Sequence, residues 1–293
     1  MTFTVLNTGP AMREILQAAE PDRAELLRRA LEPAAGMYSY FPGKPDLVHM
    51  HTMGSGFPLD RDIDLSLEGL RRLEEARAWE RIGEALREAT KVLERANPGV
   101  QVPDATVLLV VGDPTNEFFQ TTSLGMNANG SVPGYIYLNV WPSLENLARL
   151  EATAVHELHH NVRYAPGNVV WDPATVTVGE YVVSEGLADA FARELYGEEH
   201  GRTRIGVAAL DDDEAIGRVL TGLDVTGMQN FTAWVLGDAH AKRFGGEPVG
   251  LPTGAGYAAG NKLVDAYLAQ TGRAASECLV TPAADVIAAT GAL

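Results

Sequence analysis

Apolar side chains recur at helical spacing over several long stretches of the chain, with polar side chains between them. The pattern predicts an amphipathic helix over residues 11–33, either continuous or broken at Pro21, and a longer one over residues 64–96, which ends at Asn97-Pro-Gly. Further helices are expected over 177–196, 227–243, 256–268 and 281–290. Helices therefore dominate the expected structure.

Strand character is confined to a few short stretches. Residues 105–111 are rich in β-branched side chains, residues 134–141 form a second apolar run before Pro142, and residues 2–8 fit a short strand. If 134–141 is an edge strand, an extended peptide can pair with it by backbone hydrogen bonds; the alternative is an ordinary sheet strand. Residues 34–62, which contain the His49/His51 pair, and 121–133 are predicted to be irregular.

One helical stretch follows Pro142 and carries the main chemical signal. Ser143 is a plausible N-cap, and the sequence has no Gly or Pro from there until Pro166. Apolar residues fall on one face at positions 144, 147, 150, 154, 158 and 162. His156 and His160 lie nearly opposite that face, so we expect a helix that packs by one side and lines a cleft with the other.

The polar face of this helix carries the pattern H-E-x-x-H in the stretch Ala154–Asn161. Positions i and i+4 of a helix lie one turn apart on the same side, so His156 and His160 can bind one zinc ion. Glu157 is then placed to act as a general base on a metal-held water. His159 points away and is interpreted as a bystander or supporting group; a His156/His159 pair is the less well supported alternative.

The next predicted helix supplies carboxylates on an otherwise apolar face. Glu185 and Asp189 are one turn apart there, and buried carboxylates are costly unless they are paired or bind metal. A hydrolytic zinc site needs three protein ligands, so Glu185 is the expected third ligand. Asp189 is expected to accept the free ring N–H of a ligand histidine. Glu180 and Glu194 lie on the far side and are poorer ligand candidates.

Hydrolysis through a tetrahedral intermediate also needs a donor, besides zinc, that stabilises the oxyanion. Tyr257 lies between glycine-rich segments after a Gly/Pro loop, which suits a side chain directed into a cleft, although it also fits simple packing at a helix N-terminus. His240 is the alternative candidate, and its plainer interpretation is a surface histidine. We therefore expect Glu157 and Tyr257 to be the catalytic residues.

Composition narrows the class of protein further. The 293 residues are 46% hydrophobic, as in a globular protein, and the net charge of −16 with a pI near 4.8 argues against a nucleic-acid partner. Cys278 is the one cysteine, so neither an internal disulfide nor a cysteine-based metal site is expected. No signal peptide or membrane-spanning run is recognisable, which predicts a cytoplasmic protein without membrane attachment.

Three segments together resemble known metallopeptidases: His156–His160 (HELHH), Ser184–Ala188 (SEGLA) and Gly256–Gly260 (GYAAG). The chain resembles the gluzincins, and more closely a bacterial family of predicted zinc-dependent proteases catalogued as a domain of unknown function, over roughly residues 105–290. The resemblance implies Zn²⁺ held by His156, His160 and Glu185, with Glu157 catalytic.

The resemblance also implies a fold. We expect an α+β, mostly helical, zincin-like structure with a small sheet, an active-site helix and a helical C-terminal part. Residues 1–100 are expected to form a helical N-terminal region and 101–293 the metallopeptidase region. The expected function is a zinc-dependent peptidase whose partner is a peptide or protein substrate. The alternatives are a catalytically silent zincin-like module that binds peptides or regulates, and a zinc hydrolase of a non-peptide amide or ester.

Overall fold

The computed structural model describes residues 2–41 and 43–292, most of which lie in helices. The expected α+β, mostly helical class is confirmed. The α-helices are α1 (Thr8–Gln17), α2 (Glu20–Leu31), α3 (Leu47–Met53), α4 (Ile63–Glu75), α5 (Ala78–Ala96), α6 (Glu117–Thr121), α7 (Leu144–Ala148), α8 (Leu150–Arg163), α9 (Val178–Gly201), α10 (Arg204–Val207), α11 (Asp213–Leu220), α12 (Asp238–Arg243), α13 (Ala255–Thr271) and α14 (Ala283–Thr290). Within the described residues, none of these helices is both long and apolar enough to span a bilayer.

Four short strands form one sheet in the order β1-β2-β4-β3. They are β1 (Phe3–Val5), β2 (Ala105–Val111), β3 (Met126–Asn129) and β4 (Tyr135–Val140). The first three strands in that order are parallel, with Val107 opposite Ile136, and β3 runs antiparallel to β4, with Met126 opposite Val140. The predicted strands β1, β2 and β4 are confirmed.

The predicted irregular segment 121–133 contains β3, which the sequence pattern missed. Its residues, Met-Asn-Ala-Asn, have no β-branched or aromatic side chains, so only pairing with β4 makes them a strand. The suggestion that β4 is an edge strand is wrong, because β4 lies between β2 and β3. The terminal strand beside it is β3.

The chain forms two compact units. The first comprises residues up to 90 together with 102–161, and it contains the whole sheet. The second comprises residues 91–101 and 162–293, and it contains α9 to α14. Helix α8 is continuous across the boundary at residues 161 and 162. The division of the sequence at residue 100 and the zincin-like architecture both stay predictions.

Two predicted helices are interrupted at arginines. The helix expected over 64–96 is divided into α4 and α5, and Arg77 between them adopts a left-handed φ of 52°. The helix expected after Ser143 is divided into α7 and α8 at Arg149, whose φ of −103° and ψ of 1° lie outside the helical range. Ser143 does cap α7 by accepting the amide N–H of Asn146 at 3.1 Å. Arginine is a good helix former, so propensity does not predict either break.

The predicted irregular segment 34–62 contains helix α3, because Asp46 caps its first turn by accepting the amide N–H of Val48. His51 of this helix is buried, with 3% of its surface exposed. Its Nε2 lies 2.9 Å from the carbonyl oxygen of Phe57, which can only accept a hydrogen bond, so Nε2 is the protonated nitrogen. The ring fills the space beside Gly56 that a Cβ would need. His51 is therefore a packed structural histidine.

Burial of His51 makes the stability of the fold depend on pH. Burial lowers the pKa of His51 from 6.5 to about 4, although the Phe57 carbonyl and the Asp113 charge oppose the shift. Since the unfolded chain takes up this proton first, the contribution is fully present above pH 6.5 and is lost as the pH falls towards 4. The lost contribution is about 3 kcal/mol, at 1.36 kcal/mol per pKa unit.

We therefore expect the free energy of unfolding, measured in urea, to fall more steeply between pH 7 and pH 4.5 in the native sequence than in His51→Gln. Glutamine retains an N–H donor for the Phe57 carbonyl but does not titrate. If the free energy of unfolding fell equally steeply with pH in the two proteins, burial of His51 would not be the cause of the pH dependence.

Candidate metal centre

Helix α8 presents two of its histidines to each other. His156 and His160 are 5% and 3% exposed, and their Nε2 atoms lie 3.0 Å apart. One ligand atom of each, together with a carboxylate oxygen of Glu185 from α9, lies within 4.8 Å of the others. Among residues 2–41 and 43–292, this is the one group of three or more His, Cys, Asp or Glu side chains placed to hold a metal ion.

The donor set fits zinc. Two imidazole nitrogens and one carboxylate oxygen are the ligands of many catalytic zinc sites, which keep a fourth position open. Two nitrogens at the usual zinc distance and a tetrahedral angle lie about 3.4 Å apart, close to the observed 3.0 Å between the Nε2 atoms. Both Nε2 atoms must be unprotonated to hold a cation, so each ring would carry its proton on Nδ1.

Two further residues of the same stretch lie outside the ligand group. Glu157 follows His156 in α8 and is 6% exposed, and its carboxylate is not among the clustered ligand atoms. His159 is completely buried, with its ring centroid 6.4 Å from that of His160. The group contains His160 and not His159, and the choice between the two ligand pairs stays a prediction. The catalytic role of Glu157 stays a prediction.

Asn161, next to the second histidine, anchors the turn between β3 and β4. The two N–H groups of its Nδ2 are shared among three carbonyl oxygens, those of Gly130 at 2.9 Å, Val132 at 2.9 Å and Tyr135 at 2.7 Å. Its Oδ1 accepts the amide N–H of Gly134 at 3.0 Å. The side chain is fully buried, and these bonds attach the turn to α8. Sequence reasoning gave Asn161 no role, because nothing local shows where the carbonyls lie.

The same turn brings strand β3 alongside helix α8. Gly130, the residue after β3, packs against the backbone carbonyl of Glu157 so closely that a Cβ would not fit. At the other end of the strand, the Thr153 hydroxyl lies 3.1 Å from the Met126 sulfur. Strand β3, at one edge of the sheet, therefore runs along the segment of α8 that contains Glu157.

Glycine fixes the position of helix α9, which carries Glu185. Gly186 packs against the carbonyl of Gly260 in α13, and Gly260 packs against the carbonyl of Val182 in α9, with no room for a Cβ at either glycine. The two helices therefore touch through their backbones. Glu185 and Tyr257 lie beside this contact, one on each helix, which gives the glycines of the SEGLA and GYAAG segments a physical reason.

Asp189, one turn after Glu185, is fully buried and held by donors from its own unit. It accepts the backbone N–H of Thr203 at 3.1 Å, the Thr203 hydroxyl at 2.8 Å and the Asn261 amide at 2.7 Å. These bonds compensate the buried charge. The predicted bond from Asp189 to a ligand histidine stays a prediction, and the sequence did not indicate Thr203 or Asn261.

The two candidates for an oxyanion donor occupy different elements. Tyr257 lies in the first turn of α13 and is 9% exposed, and its Cβ packs against Gly206. His240 lies in α12 and is 4% exposed, so it is not a surface histidine. Burial lowers the pKa of His240, and a hydrogen bond to the Leu236 carbonyl opposes that shift. Both assignments stay predictions.

Comparison with known proteins identifies the family to which the chain belongs. A family model described as predicted Zn-dependent protease (DUF2268) matches residues 78–288. The chain is 32% identical over 236 residues to an uncharacterised protein, YjfC, of Bacillus subtilis (strain 168), an alignment that covers 79% of this chain and 76% of the relative. No solved structure matches.

Proposed function

Since the chain belongs to the family described as predicted Zn-dependent proteases, we propose that it is a zinc-dependent peptidase that uses Glu157 as its general base. The observation that carries the proposal is the buried group of His156, His160 and Glu185, whose ligand atoms lie within 4.8 Å of one another. When bound there, zinc supplies a Lewis acid that makes water a nucleophile near neutral pH and polarises the scissile carbonyl.

The other catalytic roles, proton transfer and stabilisation of the oxyanion, belong to side chains of the site. Glu157, next to His156 but outside the ligand group, accepts the proton of the attacking water and delivers it to the leaving amine nitrogen. Tyr257, with His240 as the alternative, donates a hydrogen bond to the oxyanion. Burial of all three ligand side chains strengthens these electrostatic interactions, because little water is present to screen them.

Strand β3 offers a way to bind an extended substrate. It is one of the two terminal strands of the sheet, and the residue after it packs against Glu157. A peptide that pairs with β3 by backbone hydrogen bonds is held with little dependence on its sequence, and its main chain is brought to the general base. A peptide or protein is therefore the proposed substrate class.

The test combines metal analysis with cleavage of a diverse peptide library, followed by mass spectrometry. We expect about one zinc per chain, cleavage of library peptides, loss of cleavage after chelator treatment and recovery when zinc is restored. Zinc binding with peptide capture but no cleavage would instead favour a silent binding module. Zinc-dependent turnover of ester or small-amide substrates alone would favour a different hydrolase. A protein that binds no added zinc would contradict all three.

A further inference from the structure

A second polar cluster follows the metal-binding histidines directly in the chain. Arg163, the last residue of α8, has a completely buried side chain. Its guanidinium makes a two-pronged ion pair with Glu180, with Nε to Oε1 at 2.8 Å and Nη2 to Oε2 at 3.0 Å. Its Nη1 donates to the carbonyls of Leu279 at 2.8 Å and Thr281 at 3.0 Å. Four of the five N–H donors of the guanidinium are therefore engaged, which fixes its position and orientation.

The next residue binds the same carboxylate. The hydroxyl of Tyr164 donates to Oε1 of Glu180 at 3.1 Å and also hydrogen-bonds with Ser184. Glu180 itself lies in the first turn of α9, where its backbone N–H donates to the capping hydroxyl of Thr177. Arg163 and Tyr164 therefore bind side chains on two successive turns of α9. Glu180 belongs to the first turn and Ser184 to the second, immediately before Glu185.

Stability alone is a weak explanation for this cluster. The attraction within a buried ion pair is largely offset by the loss of hydration of both charges. A bidentate arginine–carboxylate pair does fix geometry, because two parallel hydrogen bonds set both the distance and the orientation of the guanidinium relative to the carboxylate. Here the fixed elements are the end of α8, three residues after His160, and the start of α9, five residues before Glu185.

We propose that Arg163, Tyr164 and Glu180 are positioning residues of the metal centre, which set the Glu185 carboxylate relative to the His160 imidazole. Glu180 is not part of the ligand group, so the three act through the ligands. The inference rests on the proposed zinc site. It also gives a role to Glu180, whose expected position on the far side of α9 made it a poorer ligand candidate.

The test measures the zinc affinity of the full chain by competition with a chelator of known affinity, in Glu180→Gln, Tyr164→Phe and the native sequence. Loss of a group that orients a metal ligand typically weakens zinc binding 10- to 100-fold, which we expect for Glu180→Gln, with a smaller loss for Tyr164→Phe. Cobalt in place of zinc adds a spectroscopic readout. We expect a changed visible absorption spectrum in both variants, because that spectrum reports ligand geometry and not stability.

Asp265→Asn is the matched control. It removes the charge of another carboxylate that pairs with an arginine of α9, Arg193, which lies beyond the ligand. We expect it to lower thermal stability but to leave the cobalt spectrum and the zinc affinity within about twofold of the native values. If Glu180→Gln does not fold, Tyr164→Phe decides the question.

If Glu180→Gln and Tyr164→Phe fold and have the same zinc affinity and cobalt spectrum as the native sequence, the positioning role is wrong, but the proposed function is unaffected. Failure of the native sequence to bind zinc would overturn the proposed function, and the inference with it.

Discussion

Replacement of Glu157 by glutamine is expected to lower kcat for peptide hydrolysis by about 10³-fold while zinc binding is retained. Glutamine has nearly the same size and keeps one carbonyl oxygen, so the buried position beside His156 can accommodate it. It cannot accept a proton from the attacking water at neutral pH, which removes the proposed base and the later proton donor together. The measurement is steady-state kinetics on a peptide that the native protein cleaves, with zinc content determined on the same samples.

Glu151→Gln is a control on the same helix. Glu151 lies in the first turn of α8, where Arg81 binds both of its carboxylate oxygens at 2.6 Å. We expect a modest loss of stability and a normal kcat, because this carboxylate is partly exposed and has a structural partner. If Glu157→Gln cleaved peptides as fast as Glu151→Gln, Glu157 would not be the general base.

Removal of Glu185 is expected to weaken zinc binding by at least about 100-fold, beyond the effect of losing a supporting group. In Glu185→Ala the two histidines of α8 would remain, and two ligands do not form a closed protein set for zinc. Chelator competition gives the affinity, and elemental analysis after dialysis gives the bound zinc per chain.

Glu194→Ala provides the comparison, since Glu194 is a carboxylate of the same helix that accepts the Ser276 amide N–H at 2.9 Å and the Ser276 hydroxyl at 2.8 Å. This variant should be less stable but should bind zinc within about threefold of the native affinity. Equal zinc content in Glu185→Ala and the native sequence would rule out Glu185 as the third ligand.

The sequence predicts the residues of the candidate site better than their surroundings. His156 and His160 can be paired because helical periodicity alone places positions i and i+4 together. Glu185 can be suggested because a carboxylate on an apolar helix face requires compensation. Both are local arguments that use only spacing and the cost of burial, and the three residues do come together in the structure.

Several features could not be predicted from the sequence, and two of them depend on backbone groups that lie far away along the chain. The sequence around Asn161 does not indicate a structural role, because its amide hydrogen-bonds with three carbonyls of residues 130–135. Strand β3 has the composition of a loop and exists because β4 pairs with it. Arg77 and Arg149 interrupt helices although arginine favours them, so residue propensity does not locate these breaks. For Asn161 and for β3, the deciding partner lies outside the window that a sequence pattern covers.

The backbone contact between α9 and α13 restricts which sequences can carry this site. Helices that meet through side chains keep their axes 8–10 Å apart, whereas a contact at Gly186 and Gly260 allows a closer approach. A relative with alanine at either position could keep every ligand and still hold Glu185 on a displaced helix. We therefore expect both glycines to be required in addition to the metal ligands, and transfer of the ligands to another scaffold would need this helix crossing as well.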